Sequence, residues 1–432
     1  MGTLETPTKI RELQRALYLR SKQEPRFRFY ALYDKVWRAD FLAHAYALTR
    51  ANDGAPGPDG MTFEDIEGAG SAVLIETLQE ELRTKRYRPG PVRRVYIPKA
   101  NGGERPLGIP NIRDRVVQTA AKLVLEPIFE AEFDADSFGF RPKRSAHQAL
   151  TELREAIEGG MCWVLDADVT AYFDTIPHDR LMKAVARRVV DGAMLALIKS
   201  FLMAPVIDER EDNRPRRNRN GTPQGGVISP LLANIYLDLL DRNFRRHVEA
   251  GKLTGRLIRY ADDFVLVASR EPVCEQRWAT SLLTRLGLQL HPEKTRVVDV
   301  RREEVSFLGH TMRWRHGRVY FDISRKARAR IGAELRHKTR QTWQSTPDLI
   351  AELNAYIRGV RSYYKLVLRR TLAKLDHLVH GRLARWWGRK HALPGPAWSL
   401  VRAGQLWRQH GLSLEKWHTP RASRSTSVRT AP

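Results

Sequence analysis

Apolar positions along this chain switch repeatedly between helical spacing and short continuous runs. Behind Thr6-Pro7, Ile10, Leu13, Leu17 and Tyr18 recur at helical spacing, and a second helix is expected from Tyr30 to Ala51. Asn52 to Gly60 is dense in Asn, Asp, Gly and Pro and reads as a surface loop. Residues 71–87 read as a helix. Val92 to Pro98 and Arg105 to Ile109 read as the two arms of a hairpin around Asn101-Gly102-Gly103. A helix over 111–131, a basic loop from Gly139 to Ala146 and a buried strand from Val164 to Val169 follow. Asp191 to Leu202 reads as a helix. Residues 208–220 are crowded with charge and nearly free of apolar side chains, which predicts an exposed, mobile loop. Gly225 to Asp238 reads as a turn running into a helix.

Leu257-Ile258-Arg259 and Phe264-Val265-Leu266-Val267 are β-prone runs flanking Tyr260-Ala261-Asp262-Asp263, which predicts a hairpin with acids at its tip. A helix over 272–287 and a last hairpin, Val305 to Met312 with Arg318 to Phe321 around Gly317, complete this part. The character then changes to helical. Thr346-Pro347-Asp348 starts a helix with Leu349, Leu353, Ile357, Val360 and Tyr364 on one stripe. A further helix covers 370–390, with Leu372, Leu375, Val379, Leu383 and Trp387 apolar. The tail from Ser423 is rich in Ser, Thr and Arg and is expected to be disordered.

Charge changes the picture. The 432 residues hold 74 Lys and Arg against 49 Asp and Glu, a net charge of +25, which points to a polyanion partner, nucleic acid first. Residues 325–390 alone carry 17 Lys and Arg against 4 Asp and Glu, about half of the excess. No apolar run is long enough to span a bilayer, no signal-peptide pattern opens the chain, and no membrane partner is expected. Cys162 and Cys274 are the only cysteines, which fits a reducing cytoplasm.

Two adjacent carboxylates at a hairpin tip repel each other, and a divalent cation relieves that cost. Four residues alone fit a solvated turn equally well. Upstream, however, Asp168 ends a buried strand ahead of Val169-Thr170-Ala171-Tyr172-Phe173-Asp174. Acids from separate segments are what a two-metal site needs, its ions about 3.5–4 Å apart, and oxygen-only ligands favour Mg²⁺.

These segments carry a resemblance. The chain resembles the reverse transcriptases encoded by group II introns, from about residue 50 to 390. Asn52 to Phe63 looks like the family's N-terminal lid motif. Val95-Tyr96-Ile97-Pro98-Lys99 through Arg105-Pro106-Leu107-Gly108-Ile109-Pro110, then Phe138-Gly139-Phe140-Arg141-Pro142, look like its fingers motifs. Asp168 to Asp174 and Tyr260 to Asp263 look like palm motifs, with Pro292-Glu293-Lys294-Thr295 and Phe307-Leu308-Gly309-His310 following in order. Gly221-Thr222-Pro223-Gln224-Gly225-Gly226-Val227-Ile228-Ser229-Pro230-Leu231 is the most specific string.

The resemblance implies an α+β right-hand polymerase. Residues 1–92 would form an N-terminal extension with the lid, 93–324 fingers and palm, 325–391 a helical thumb and maturase region, and 392–432 a short, partly disordered tail. It implies two Mg²⁺ ions held by Asp168 and Asp262 with the Val169 carbonyl, and Asp263 beside them. Lys99 and Arg105 would hold the triphosphate, Gln224 would contact nucleotide or template base, and Lys294 would protonate the leaving pyrophosphate. Tyr260, Ala261 and Gly309 would meet the primer. Phe173 would exclude a ribonucleotide 2′-hydroxyl, although a ring near a strand end often simply packs. Arg358, Arg361, Lys365, Arg382, Arg385 and Arg389, with Tyr363-Tyr364 and Trp386-Trp387 interleaved, would bind RNA; at least one aromatic of each pair is expected in the core. Implied partners are intron RNA, a DNA primer or target, and deoxynucleoside triphosphates, in a bacterial cytoplasmic ribonucleoprotein. With about forty residues after His391 and no Cys among them, the endonuclease module of many relatives is expected to be missing. Two competing readings are an RNA-binding splicing factor without polymerase activity and a reverse transcriptase adopted for host defence.

Overall fold

The computed structural model describes residues 4–98, 103–211, 214–392 and Gln405. Lys99, the tip at 101–102 and the expected tail lie outside the described residues. The chain divides into two compact units, Met1–Arg302 and Glu303–Pro432. The division falls before the last hairpin, whereas the sequence reading placed the boundary at 324/325. Residues 1–92 belong with the fingers and palm in the first unit.

The first unit is built on two four-stranded sheets. In the palm sheet the order is Arg256–Tyr260, Asp263–Ala268, Trp163–Ala167, Arg296–Asp299, and every pairing is antiparallel. The Phe264 to Ala268 run is wholly buried, which explains why it is apolar at consecutive positions rather than alternate ones. Helix Ser229–Glu249 shares a core with it through Leu232, Tyr236 and Leu240, and helix Ala146–Glu158, with Leu150 buried, lies against its strands Arg256–Tyr260 and Asp263–Ala268. The fingers sheet pairs Val92–Pro98 with Glu104–Ile109 antiparallel, and with Pro205–Asp208 in parallel.

Two expectations fail here, both through long-range pairing. The helix expected from Tyr30 to Ala51 splits into Tyr33–Val36 and Ala39–Asn52. Phe29 instead bridges to Val189, and Asp191 Oδ2 accepts the N–H groups of Leu32 and Tyr33, so the chain before 33 is extended. The charged segment 208–220 is not simply a loop. Its start completes the strand Pro205–Asp208, and Arg216–Arg217 pairs back onto that strand. Asp208 is buried there and accepts a 2.5 Å hydrogen bond from the Tyr96 hydroxyl.

In the second unit, strands Val305–Phe307, His310–Arg315 and Arg318–Ile323 form an antiparallel sheet. Helices Arg325–Lys338, Thr346–Tyr363 and Arg369–Lys390 follow. Ser345 caps the second through its side chain, and Leu349, Leu353, Ile357 and Tyr364 are buried as the stripe predicts. The last helix keeps the middle of its expected stripe but turns Trp386 rather than Trp387 inward. It buries Leu375, Val379, Leu383 and Trp386, with Trp386 Nε1 donating to the Gln341 carbonyl, and leaves Trp387 only half-buried.

The six cations expected to bind RNA separate here. Arg361 donates to the buried Asp376 carboxylate at 2.5 Å and so neutralises a charge between two helices. Arg382 donates to Thr339 Oγ1 at 3.3 Å and Arg389 to the Thr339 carbonyl at 2.5 Å, tying the last helix to the end of Arg325–Lys338. Arg358, Lys365 and Arg385 are exposed. Removing one member of a buried pair strands the other charge. Arg361→Ala is therefore expected to cost about 3 kcal/mol in chemical denaturation. Arg358→Ala, one turn away and exposed, is expected to stay within about 0.5 kcal/mol of wild type.

Candidate active site

The acidic tip is a two-residue hairpin. Tyr260 pairs with Asp263, leaving Ala261 and Asp262 as the turn. Ala261 has φ +59°, a left-handed conformation that a non-glycine residue holds only when its surroundings impose it. Three contacts impose it. Asp136 and Phe138 flank the hairpin, with Arg259 N–H donating to the Asp136 carbonyl and Phe138 N–H to the Arg259 carbonyl. Gly139 lies directly under the turn, where a Cβ would come within 2.2 Å of the Ala261 nitrogen. Beneath both, the fully buried Arg259 guanidinium donates to the Ala261 carbonyl at 2.9 Å, to Asn234 Oδ1 at 2.9 Å and to both oxygens of Asp241. Asn234 Nδ2 in turn donates to the Gly139 carbonyl at 2.8 Å.

Register brings the third acid to this tip. Ala167 pairs with Phe264, so Asp168 leaves its strand beside Asp263. The segment 289–291 pins it: His291 N–H donates to the Asp168 carbonyl, Thr170 N–H to the Gln289 carbonyl, and Val169 bridges to Leu290. Ala171 is again left-handed, at φ 44°. Asp166, two residues back and on the same strand face, is a fourth carboxylate that sequence reasoning passed over; Arg296 lies 3.5 Å from it.

The electrostatics follow from this crowding. Partial burial, then the like charges of Asp262, Asp168 and Asp166, push Asp263 up to about 7, with Lys294 opposing. Burial also raises Asp262, with Asp168 adding to the rise and Arg105 and Arg259 opposing it. The Asp263 side chain reaches solvent at the tip. Lys294 Nζ contacts Asp168 Oδ2, the one direct ion pair to a tip acid among the described residues. Among the described residues no group of three or more His, Cys, Asp or Glu side chains is arranged to hold a metal ion as it stands. An oxygen-only donor set with surplus negative charge nevertheless fits a hard divalent cation.

The glycine-rich loop 221–226 is fastened between palm and fingers. Thr222 N–H donates to the Phe173 carbonyl and Gly221 N–H to the Ile176 carbonyl. On the fingers side Gly108 N–H donates to the Gln224 carbonyl, and Arg105 Nε donates to Gln224 Oε1 at 2.8 Å. Gly225, at φ +111°, sits where a Cβ would meet the Gly108 carbonyl oxygen at 2.2 Å. Arg105 and Gln224 thus stand together, and Arg105 acts electrostatically on Asp262. Phe173 is buried, edge-on to Tyr172 and to the exposed Phe140 ring, 6.4 Å away. Tyr260 is half-buried and Ala261 buried at the tip. Gly309 belongs to the second unit, where its left-handed turn at φ +73° packs against Tyr364.

Sequence comparison agrees with this architecture. The family described as reverse transcriptase (RNA-dependent DNA polymerase) matches residues 97–312, half of the chain, and the group II intron, maturase-specific domain matches 328–404. Protein YkfC of Escherichia coli K12 is 37% identical over 341 residues, covering 70% of this chain and 88% of that protein. Group II intron-encoded protein LtrA of Lactococcus lactis is 39% identical over 215 residues, covering 50% of this chain but 35% of that protein. Among solved structures, a partial Cas6-RT-Cas1–Cas2 complex aligns at a TM-score of 0.35 and 22% identity, over 59% of this chain and 40% of that one, too distant to bear on function. With a palm sheet that sets three acids at one tip, and with matches across both units, the chain belongs to the reverse transcriptase (RNA-dependent DNA polymerase) family, in its group II intron maturase branch.

Proposed function

We propose that the protein copies RNA into DNA, extending a DNA primer with deoxynucleoside triphosphates, and that it assists the splicing of an intron RNA by binding it. The observation that carries the polymerase reading is the register that sets Asp168 beside Asp262 and Asp263. Asp168, Asp262 and the Val169 carbonyl would hold two Mg²⁺ ions, with Asp263 as a weaker ligand or electrostatic support. When bound, these ions supply Lewis acidity that lowers the pKa of a primer 3′-hydroxyl and stabilises the leaving pyrophosphate.

The chain's own groups do the positioning. Arg105 is exposed, always charged and aligned by Gln224, which suits it to a triphosphate; Lys99 would join it. Lys294, an ammonium already beside Asp168, is placed to neutralise charge there and to give a proton to pyrophosphate. Phe173 would stand against the sugar, with its backbone locked to the loop carrying Gln224, so ring and loop keep a fixed spacing. Tyr260 and Ala261, at the tip, and Gly309 would meet the primer. Splicing assistance is binding rather than chemistry: a basic surface lowers the cost of holding folded RNA. The working form would be a ribonucleoprotein with intron RNA in the bacterial cytoplasm.

Three outcomes test this reading. Asp262→Ala is expected to abolish Mg²⁺-dependent primer extension on an RNA template while RNA binding persists; a wild-type protein that binds RNA but extends nothing would favour the splicing-factor alternative. Phe173→Ala is expected to raise ribonucleotide incorporation relative to deoxynucleotide, and an unchanged ratio would refute the sugar contact. The third concerns pH. A carboxyl raised to about 7 holds its proton longer in the folded state, so its contribution to stability is full below the unfolded value near 4 and lost as pH rises through 7. Thermal melts in EDTA should therefore fall from pH 5 to pH 8, less steeply in Asp263→Asn, and Mg²⁺ should recover wild-type stability at pH 8.

A further inference from the structure

A cavity of about 580 Å³ opens within the unit Glu303–Pro432, lined by none of the residues given a role above. It lies between the hairpin His310–Arg315/Arg318–Ile323 and the start of helix Arg369–Lys390. Phe321 bridges to Val367 there, and Leu368 N–H donates to the Phe321 carbonyl at 3.4 Å. Arg313, Arg315, Arg369 and Arg370 line it together with Tyr320 and Leu368. The hairpin turn is stiff, because His316 and Gly317 both take positive φ (48° and 76°), the combination of a tight type I′ turn.

Charge at this cavity is unbalanced. Its one acid, Asp322, is already engaged by Arg328 at 2.9 Å, with Arg313 at 4.0 Å. Among the described residues Arg315, Arg369 and Arg370 have no acidic partner. Arg369 and Arg370 also open a helix of 22 residues that has no side-chain cap and no acid in its first turn. Their N–H groups lack intrahelical acceptors, and two cations sit at the positive end of the helix dipole. A bound anion corrects both faults at once. An aromatic ring beside a cation-rimmed cavity adds a surface for an unstacked base.

We propose that this cavity binds one segment of single-stranded RNA, with phosphates on Arg315, Arg369 and Arg370 and a base against Tyr320. The inference rests on the reading that the protein binds RNA. It also adds a hairpin–helix junction to the helix faces chosen by sequence, where Arg361, Arg382 and Arg389 have structural partners.

The test uses the full-length protein and a short unstructured, fluorescently labelled RNA, titrated over a range of salt. The variant with Arg315→Gln, Arg369→Gln and Arg370→Gln is expected to bind about tenfold or more weakly at physiological salt. Its dependence of log K on log salt should flatten by about 2, since each phosphate contact on a single strand contributes about 0.7. Tyr320→Leu is expected to weaken binding about tenfold with the slope unchanged, the signature of a lost stack. A preannealed RNA–DNA hybrid should bind both variants as it binds wild type, and equal losses on the hybrid would overturn the single-strand assignment. Variants that match wild type in affinity and slope would overturn the site while leaving RNA binding intact. A wild-type protein that fails to bind the RNA would overturn the proposed function as well.

Discussion

A guanidinium with no access to water holds up the acidic hairpin. Arg259 lies under the turn at 261–262 and spends its donors on Asp241, Asn234 and the Ala261 carbonyl. A turn of two residues with a left-handed alanine relaxes unless its carbonyl is fixed, and a buried Arg can fix it only if its own charge is answered. Asp241 answers it from the helix Ser229–Glu249. That helix begins just after the glycine-rich loop, so one element sets both the height of the acidic tip and the start of the loop beside it. Gly139 completes the support because any side chain there would displace the turn.

Above that support the charges are arranged for conflict. Burial and the charge of Asp168 raise the proton affinity of Asp166, Asp262 and Asp263, and Arg296, Arg105 and Lys294 offset only part of it. In the buried pair below, attraction is satisfied and geometry is fixed. At the rim, repulsion is left over, and a rigid frame prevents the acids from spreading apart to relieve it. Unrelieved repulsion on a rigid frame is what gives a site affinity for cations.

Much of this was legible in the sequence, for reasons that are local. Apolar runs on both sides of Tyr260-Ala261-Asp262-Asp263 specify a hairpin whatever surrounds it, and Asp168 at the end of an apolar run specifies an acid at a strand end. What was not legible depends on partners distant along the chain. Nothing near Tyr30 reveals that Phe29 will bridge to Val189. The charges of 208–220 hide the strand Arg216–Arg217, which pairs with Pro205 and Val206 of a strand itself held by Val92–Pro98. Asp166 carried a usable signal, since residues two apart on a strand share a face; Arg259, as one more arginine in a basic chain, carried none.

The cations of the second unit make the same point in energetic terms. A count of Lys and Arg marks the unit as a nucleic-acid binder without saying which charges are available. Arg361 answers Asp376, and Arg382 and Arg389 hold Thr339, so these side chains would have to break internal contacts before meeting a phosphate. An arginine placed at the start of a helix works the other way. It adds positive charge where the backbone is already positive, so the folded unit carries an electrostatic cost that an external anion removes. Arg369 and Arg370 are in that position, so an anion at the mouth of the hairpin would relieve a cost that the exposed cations farther along the helices do not carry.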